Sequence, residues 1–400
     1  MRTRANSETR GDAPAPEGPR VLIVAGEASG DAHAARLVAA MRGELPSVQV
    51  FGVGGEALAR EGVELLFPAA ALAVVGLSEV AAKLPAVVRA LLTLGRAMRR
   101  RRPSLVILVD FPDFNFWVAR LARWHGIPVM YFISPQVWAW RRYRVRTIAR
   151  LVDRMVVIFP FEAEFYEQHG VQADFVGHPF RETLPPPPPR REWLAAHGLD
   201  PDRLTVAVLP GSRLSEVERF LPLMLDAARL LLQSLPGCQF VLPLASTIPA
   251  QCVAAQVSGF GGPLQVVPGQ AYEALTAAHL ALVASGTVTL EAALAATPTV
   301  IVYRVSALSA LVARLLIRVE HVGMANLLAG ERLFPELLQE QFTPESLALE
   351  ALAFVREPRR LETVGQGLRR ILTRLGGPGA SARAARVALS LINRAAGSGG

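Results

Sequence analysis

Lysine is almost missing from this chain of 400 residues: Lys83 stands alone, so 41 of the 42 basic residues are arginine. No G-x-x-x-x-G-K-[ST] is present, which excludes a P-loop. Cysteine is nearly as scarce. Cys238 and Cys252 cannot staple a secreted scaffold or supply a four-thiolate zinc site, and they point to a reducing compartment. The seven histidines show no i, i+4 pair on one helix and no H-E-x-x-H, so no dedicated metal site is expected. No apolar run reaches the length of about eighteen residues that a spanning helix needs. The run from Ala69 to Leu94 comes nearest, but Glu79, Lys83, Pro85 and Arg89 interrupt it. Residues 1–20 lack the apolar stretch of a signal peptide and read as a polar, disordered leader.

What the chain does hold is apolar content, 51%, with a net charge of +8. That is too apolar for a disordered protein. The charge favours an anionic partner: nucleic acid, a phosphorylated metabolite or an anionic membrane. Short β-branched runs alternate with helical patterns. Strands are predicted at Val21–Val24, Val48–Val53, Leu105–Val109, Val129–Phe132 and Met155–Ile158. A second set is predicted at Thr205–Leu209, Gln239–Leu242, Leu264–Val267, Leu280–Val283 and Thr299–Tyr303. Such alternation is the signature of parallel α/β sheets. Pro185 to Pro189 can be neither helix nor central strand and reads as a stiff linker. The domains expected are therefore 21–184, a linker at 185–190, a second α/β half at 191–343, and helices over 344–395. Those last helices would fold back on the first half or onto a partner chain.

Four motifs sit where strands end and helices begin. Gly26-Glu27-Ala28-Ser29-Gly30-Asp31 follows the first strand. It is either a capped turn or an anion-binding turn, and its acids can also meet sugar hydroxyls. Asp110-Phe111-Pro112-Asp113-Phe114-Asn115 lies at a carboxyl strand end, where open α/β sheets bind ligands. Either Asp110 or Asp113 has the chemistry of a general base, and one of them can equally be a helix cap. In the second half, Gly211-Ser212-Arg213 forms a phosphate cradle, with Ser215 and Glu218 expected as the capping box. Ser285-Gly286-Thr287, with Glu291 one turn later, is either an ordinary capped helix start or a turn that fits a nucleotide diphosphate and a ribose diol. Ser134 to Arg142 adds Trp138, Trp140 and arginines; alone it reads as half core and half site. His178, in Gly177-His178-Pro179, is the one histidine placed near the linker. A nucleic-acid-binding reading lacks any helix-turn-helix, RNP or zinc-finger signature.

Two α/β halves, phosphate turns in the second and no metal motif point to a nucleotide-sugar transferase of GT-B type. At that point the motifs themselves match a family. AGEASGD (Ala25–Asp31), VDFPDFN (Val109–Asn115), SPQVWAWR (Ser134–Arg141), FPFEAEFY (Phe159–Tyr166), VGHP (Val176–Pro179), LPGSR (Leu209–Arg213), ASGTVTLE (Ala284–Glu291), ANLLAGERLFPELLQ (Ala325–Gln339) and GGPGAS (Gly376–Ser381) occur in one order. In that set the chain resembles the lipid-A-disaccharide synthases, glycosyltransferase family 19.

The resemblance implies a GT-B fold: two Rossmann-like domains facing a central cleft, with C-terminal helices. It implies transfer of a diacylglucosaminyl group from UDP-2,3-diacylglucosamine to the 6-hydroxyl of lipid X, with inversion and without cofactor or metal. By motif position Asp113 is the base, with Asp110 second. Ser212, Arg213, Ser285, Gly286, Thr287, Glu291 and Asn326 then hold the UDP-sugar, and Glu27, Ser29 and Gly30 line the acceptor side. Both substrates carry acyl chains. The apolar element with Val75, Leu77, Val80 and Leu84, followed by Arg96 to Arg102, is thus suited to an anionic membrane surface. The expectation is a peripheral protein of the cytoplasmic face of the inner membrane, monomer or homodimer, without nucleic acid.

Overall fold

The computed structural model describes residues 18–72, 79–139, 142–305 and 321–397. The leader up to residue 17, Val75, Leu77, Trp140 and Arg141 lie outside them, as does the Val80 side chain. The chain forms two compact units. Of these described residues, the first unit contains those of 18–138, 142–179 and 379–397, and the second those of 180–378 with Ala139.

In the first unit the strands are β1 (Arg20–Ala25), β2 (Gln49–Gly54), β3 (Glu64–Pro68), β4 (Leu105–Val109), β5 (Val129–Phe132), β6 (Arg154–Val157) and β7 (Ala173–Phe175). They make one parallel sheet of order β3-β2-β1-β4-β5-β6-β7. Strand β1 pairs with β2 on one side (Val21 to Val50) and with β4 on the other (Val21 to Leu105). The helices are α1 (Ala28–Glu44), α2 (Glu56–Arg60), α3 (Glu79–Arg101), α4 (Pro112–Trp124), α5 (Val145–Leu151) and α6 (Pro160–Glu167). Strands β1 and β4 are buried along nearly their whole length, which is why they read as continuous apolar runs. Leu22, Val106 and Tyr131 join Leu94 and Met98 of α3 and Val118 of α4 in one core. The C-terminal helix (Ala380–Gly397) packs along α1, and Arg383 Nε donates to the Val176 carbonyl at 2.8 Å.

The second unit repeats this winding. Helices α7 (Phe180–Thr183) and α8 (Arg190–Ala196) precede β8 (Thr205–Leu209), α9 (Leu214–Ser234), β9 (Gln239–Leu244), α10 (Gln251–Ser258) and β10 (Leu264–Pro268). There follow α11 (Ala271–Ala277), β11 (Leu280–Ala284), α12 (Val288–Leu294), β12 (Thr299–Tyr303), α13 (Met324–Ala329), β13 (Glu336–Leu338), α14 (Pro344–Arg356) and α15 (Pro358–Arg374). The sheet order is β10-β9-β8-β11-β12-β13. Pro185 to Pro189 form neither helix nor strand. In both sheets the winding reverses between the first strand and its neighbour: β1 beside β4, and β8 beside β11. Ligands of doubly wound folds bind outside the carboxyl ends at that switch.

Candidate functional site

The first unit brings two of its motifs to its switch point. After β1 the chain enters α1 at Ala28, with Glu27 at the N-cap and no side-chain cap. Glu27 and Ser29 are exposed, and Gly30 is buried against Val109. Asp31 turns away from any ligand. Its carboxylate accepts the Gly55 N–H at 2.7 Å and the Ala57 N–H at 2.8 Å, so it caps α2. Gly26 has its own reason. Any Cβ there would run into the Phe111 ring.

After β4, Asp110 and Phe111 both adopt left-handed backbone, φ 45° and 48°. Neither is glycine, and such residues cost about 1–3 kcal/mol each unless their surroundings hold them. The Asp110 carbonyl accepts two hydrogen bonds, from Tyr131 Oη at 2.5 Å and Asn115 Nδ2 at 2.6 Å. The twist leaves the Asp110 carboxyl half-buried. Burial pushes its pKa up to about 6, the Glu27 charge adds to this, and the Phe111 N–H opposes it. Asp113, in the first turn of α4, is instead exposed and paired with Arg144 at 2.5 Å. One acid of the motif is thus desolvated and beside a like charge, and the other is tied to a cation at the surface.

The Ser134 loop is fastened from beneath. Trp138 Nε1 donates to Glu162 Oε1 at 3.0 Å, and Ser134 Oγ meets Tyr166 Oη at 2.7 Å. Burial raises the Glu162 pKa to about 7, against the pull of Trp138 and two backbone N–H groups. His178 packs on Phe159, and burial, aided by His33, lowers its pKa to about 3.

The second unit gathers its turns after β8 and β11. Ser212 and Arg213 are exposed. Helix α9 starts at Leu214, and its cap differs from the expected Ser215–Glu218 box. Glu216 accepts from the backbone N–H of Ser212 at 3.2 Å and Arg213 at 3.3 Å, and its other oxygen pairs with the Arg213 guanidinium at 2.9 Å. The N-cap is Arg213, two residues before the expected Ser215, which moves the capping acid from 218 to 216. Gly211, at φ 120°, makes the bend that brings this about. Gly286 and Thr287 are exposed and Ser285 is half-buried, its hydroxyl donating to the Val322 carbonyl at 3.2 Å. Burial, with the Glu273 charge, raises the pKa of Glu291.

Asn326 does not present its amide. It is fully buried, donates to the Phe334 carbonyl and to Glu336 Oε1, both at 2.8 Å, and accepts the Phe334 N–H at 2.7 Å. Its part in the site is indirect. Glu336 also accepts the Val322 and Gly323 N–H groups, so the pair fixes the start of α13. Sequence reasoning missed Thr289, whose hydroxyl donates to the Gly286 carbonyl at 2.8 Å and accepts the Met324 N–H. It also missed Tyr272 and Glu273 at the start of α11, whose ionisable groups lie close enough to Glu291 to interact with it. Their signal was the Gly269-Gln270 turn at the end of β10, where Gln270 is left-handed. Among the described residues no three His, Cys, Asp or Glu side chains form a metal-holding group.

Known proteins place the chain. Residues 21–388 match a family model described as Lipid-A-disaccharide synthetase. A lipid-A-disaccharide synthase of Syntrophus aciditrophicus (strain SB) is 48% identical over 375 residues, 94% of this chain and 98% of that protein. One from Myxococcus xanthus (strain DK1622) is 47% identical over 374 residues, again 94% and 98%. Among solved structures, UDP-GlcNAc 2-epimerase from Neisseria meningitidis bound to UDP-GlcNAc has a TM-score of 0.63 at 11% identity, covering 94% of this chain and 100% of that one. The calicheamicin glycosyltransferase CalG4 has a TM-score of 0.59 at 17% identity, covering 94% and 98%. At those identities the solved structures speak for the fold, which is that of GT-B glycosyltransferases and epimerases, whereas the sequence relatives speak for descent: the chain is a glycosyltransferase and belongs to the lipid-A-disaccharide synthase family.

Proposed function

We propose that this enzyme transfers 2,3-diacylglucosamine from UDP-2,3-diacylglucosamine to the 6-hydroxyl of 2,3-diacylglucosamine 1-phosphate (lipid X). A base takes the hydroxyl proton, the oxygen attacks the anomeric carbon from the face opposite UDP, and UDP leaves with the bonding pair. The products are a β-1′,6-linked disaccharide 1-phosphate and UDP. The observation that carries the reading is Asp110: a half-buried carboxyl at the sheet's switch point, with a pKa of about 6. A base with its pKa near the working pH is both deprotonated and strong. Asp110 therefore moves ahead of Asp113 as the proposed base, while Asp113 fixes Arg144. Glu27 and Ser29 face the acceptor. Arg213, the amides of Ser212 and Ser285–Thr287, and Glu291 bind the UDP-sugar, stabilising the leaving diphosphate as its charge grows.

The test is UDP release with the two acylated substrates. Asp110→Asn should lose about 10²- to 10⁴-fold in kcat, the range of general-base catalysis. Asp113→Asn should lose clearly less. Turnover of plain UDP-GlcNAc with none of the acylated pair overturns the substrate assignment.

The enzyme is also proposed to work at the cytoplasmic face of the inner membrane. Helix α3 buries Ala90, Leu94 and Met98 in the core and exposes Leu84, Val88 and Leu92 on its other side, at i, i+4 spacing. The same line continues into Arg96 and Arg100. On neighbouring α4, Trp117 and Trp124 are 55% and 81% exposed. An apolar stripe ending in arginines suits an anionic lipid surface, and tryptophan suits its interface. Among the described residues no helix is long and apolar enough to cross a membrane. Leu84, Val88 and Leu92 changed together to Ser should abolish flotation with anionic vesicles and leave the melting temperature unchanged. Unfolding, or undiminished flotation, would remove this surface from the proposal.

A further inference from the structure

The turn that presents Asp110 is held by two buried side chains. Tyr131, on β5, and Asn115, on α4, are both fully buried. Each donates to the Asp110 backbone carbonyl, at 2.5 and 2.6 Å. Asn115 Nδ2 also reaches the Val109 carbonyl at 3.3 Å, so the amide straddles the last strand residue and the first turn residue. The Asp110 N–H is meanwhile bonded to the Phe132 carbonyl at 3.3 Å. Both ends of this one residue are therefore fixed to β5 and α4. The residue so fixed is the first of the two consecutive left-handed ones.

The cost of that backbone needs a reason. A strand that ran straight into α4 would need no left-handed residue. Here the chain bends first, the Phe111 ring lies against Gly26, and the Asp110 carboxyl is left next to Glu27. Asn115 accepts the cost of an orphan as well: its buried Oδ1 has no hydrogen-bond partner. Its two N–H donors point at backbone carbonyls, and the amide group is oriented for those at the expense of its oxygen. A buried polar atom left unsatisfied is tolerated where function requires the arrangement.

We propose that Tyr131 and Asn115 are positioning residues which lock the Asp110–Phe111 turn in its left-handed form and so keep the Asp110 carboxyl desolvated and aimed at the acceptor hydroxyl. The proposal rests on the reading of Asp110 as the base. Neither side chain touches substrate. Loss of either donor lets the turn relax toward ordinary backbone, and the carboxyl gains water. The charged form is then favoured and the carboxyl becomes a weaker base. The other ionisable groups at this corner are Glu27 from the loop before α1, Asp113 with its partner Arg144, and Tyr166 from α6. None of them bonds to the Asp110 carbonyl, so none can replace the missing donor.

The experiment compares full-length wild type, Tyr131→Phe, Asn115→Ala and Asp110→Asn. Carboxyl ¹³C signals of labelled aspartate follow the titration, with Asp110→Asn assigning the resonance. In the wild type Asp110 should titrate near the value of about 6. In Tyr131→Phe it should move toward the ordinary carboxylate range, the acid limb of kcat/KM should move with it, and kcat should fall about tenfold while KM for both acylated substrates stays within about twofold. Adding Tyr131→Phe to Asp110→Asn should cost nothing more. Asn115→Ala should act in the same direction, and it serves if Tyr131→Phe does not fold. An unmoved Asp110 titration in a folded variant overturns the proposal, as does an equal loss of kcat with and without the Asp110 carboxyl. Failure of the base reading is separate: Asp110→Asn would then keep its activity, and the titration alone would decide whether the two donors hold the turn.

Discussion

The two units share one winding and differ in what they place at its reversal. At the β1/β4 switch the first unit sets carboxylates, one of them half-buried on a strained turn. At the β8/β11 switch the second sets exposed amides, hydroxyls and Arg213, and only a glycine, Gly211, is left-handed in the turns after β8 and β11. The same scaffold thus carries opposite electrostatics. A general base gains from losing water, since burial raises its pKa. A diphosphate site gains from open donors and a cation. At the two switch points, backbone strain is found beside the half-buried carboxyl and is missing from the turns proposed for the diphosphate. Function here is written in the turns and not in the sheets.

The comparison can be broken most severely through Asp110 and pH. Its folded pKa is about 6, against an ordinary value of 3.8. Below both values the carboxyl is protonated in the folded and unfolded chains alike. Between them the folded state keeps a proton that the unfolded state has released. Stability due to this group therefore falls as pH rises and is fully lost above about pH 6. The gap corresponds to about 3 kcal/mol. Asp110→Asn should unfold at higher urea concentration than wild type near pH 8, by about that energy, and the difference should vanish near pH 3.5. An inactive enzyme that is more stable than its parent is the expected signature. Equal stability at both pH values would mean that the carboxyl is not held out of water, and the contrast between the units would lose its basis.

The strands of that scaffold were readable because buried parallel strands are unbroken apolar runs; Val21–Val24 and Thr205–Leu209 are examples. The structure adds β3, β7 and β13, which the pattern did not reveal. All three are sheet edges. Edge strands are short and carry charge or proline, as Glu64, Pro68, Asp174 and Glu336 do here, so they lose the apolar signature. The motif turns were located correctly from their place after strands, but the work of single residues was not. Asp31 reads as a ligand-facing acid and is a cap for another helix. Asn326 reads as a loop amide free for a diphosphate and is spent on Phe334 and Glu336. Asp110 and Asp113 cannot be ranked from spacing, because the ranking proposed here rests on two φ angles and on Arg144, some thirty residues onward.

Smaller effects sharpen the second half of the contrast. Arg213→Ala removes a charge-assisted donor, an interaction of about 1.5–3 kcal/mol, and should weaken UDP binding by about 10- to 100-fold in calorimetry. Glu216 offers a finer test. Its carboxylate holds the Ser212 and Arg213 N–H groups and the Arg213 guanidinium, the very donors assigned to the diphosphate. A bound diphosphate has to compete with it. Glu216→Gln keeps an acceptor oxygen for the cap and drops the charge. The cost to α9 should stay within about 1 kcal/mol, and UDP should bind several-fold more tightly. If UDP instead binds more weakly, Glu216 orders the turn for its ligand, and the second unit, like the first, depends on a carboxylate to build its site. The units would then differ in which ligand the acid serves and not in whether an acid is used.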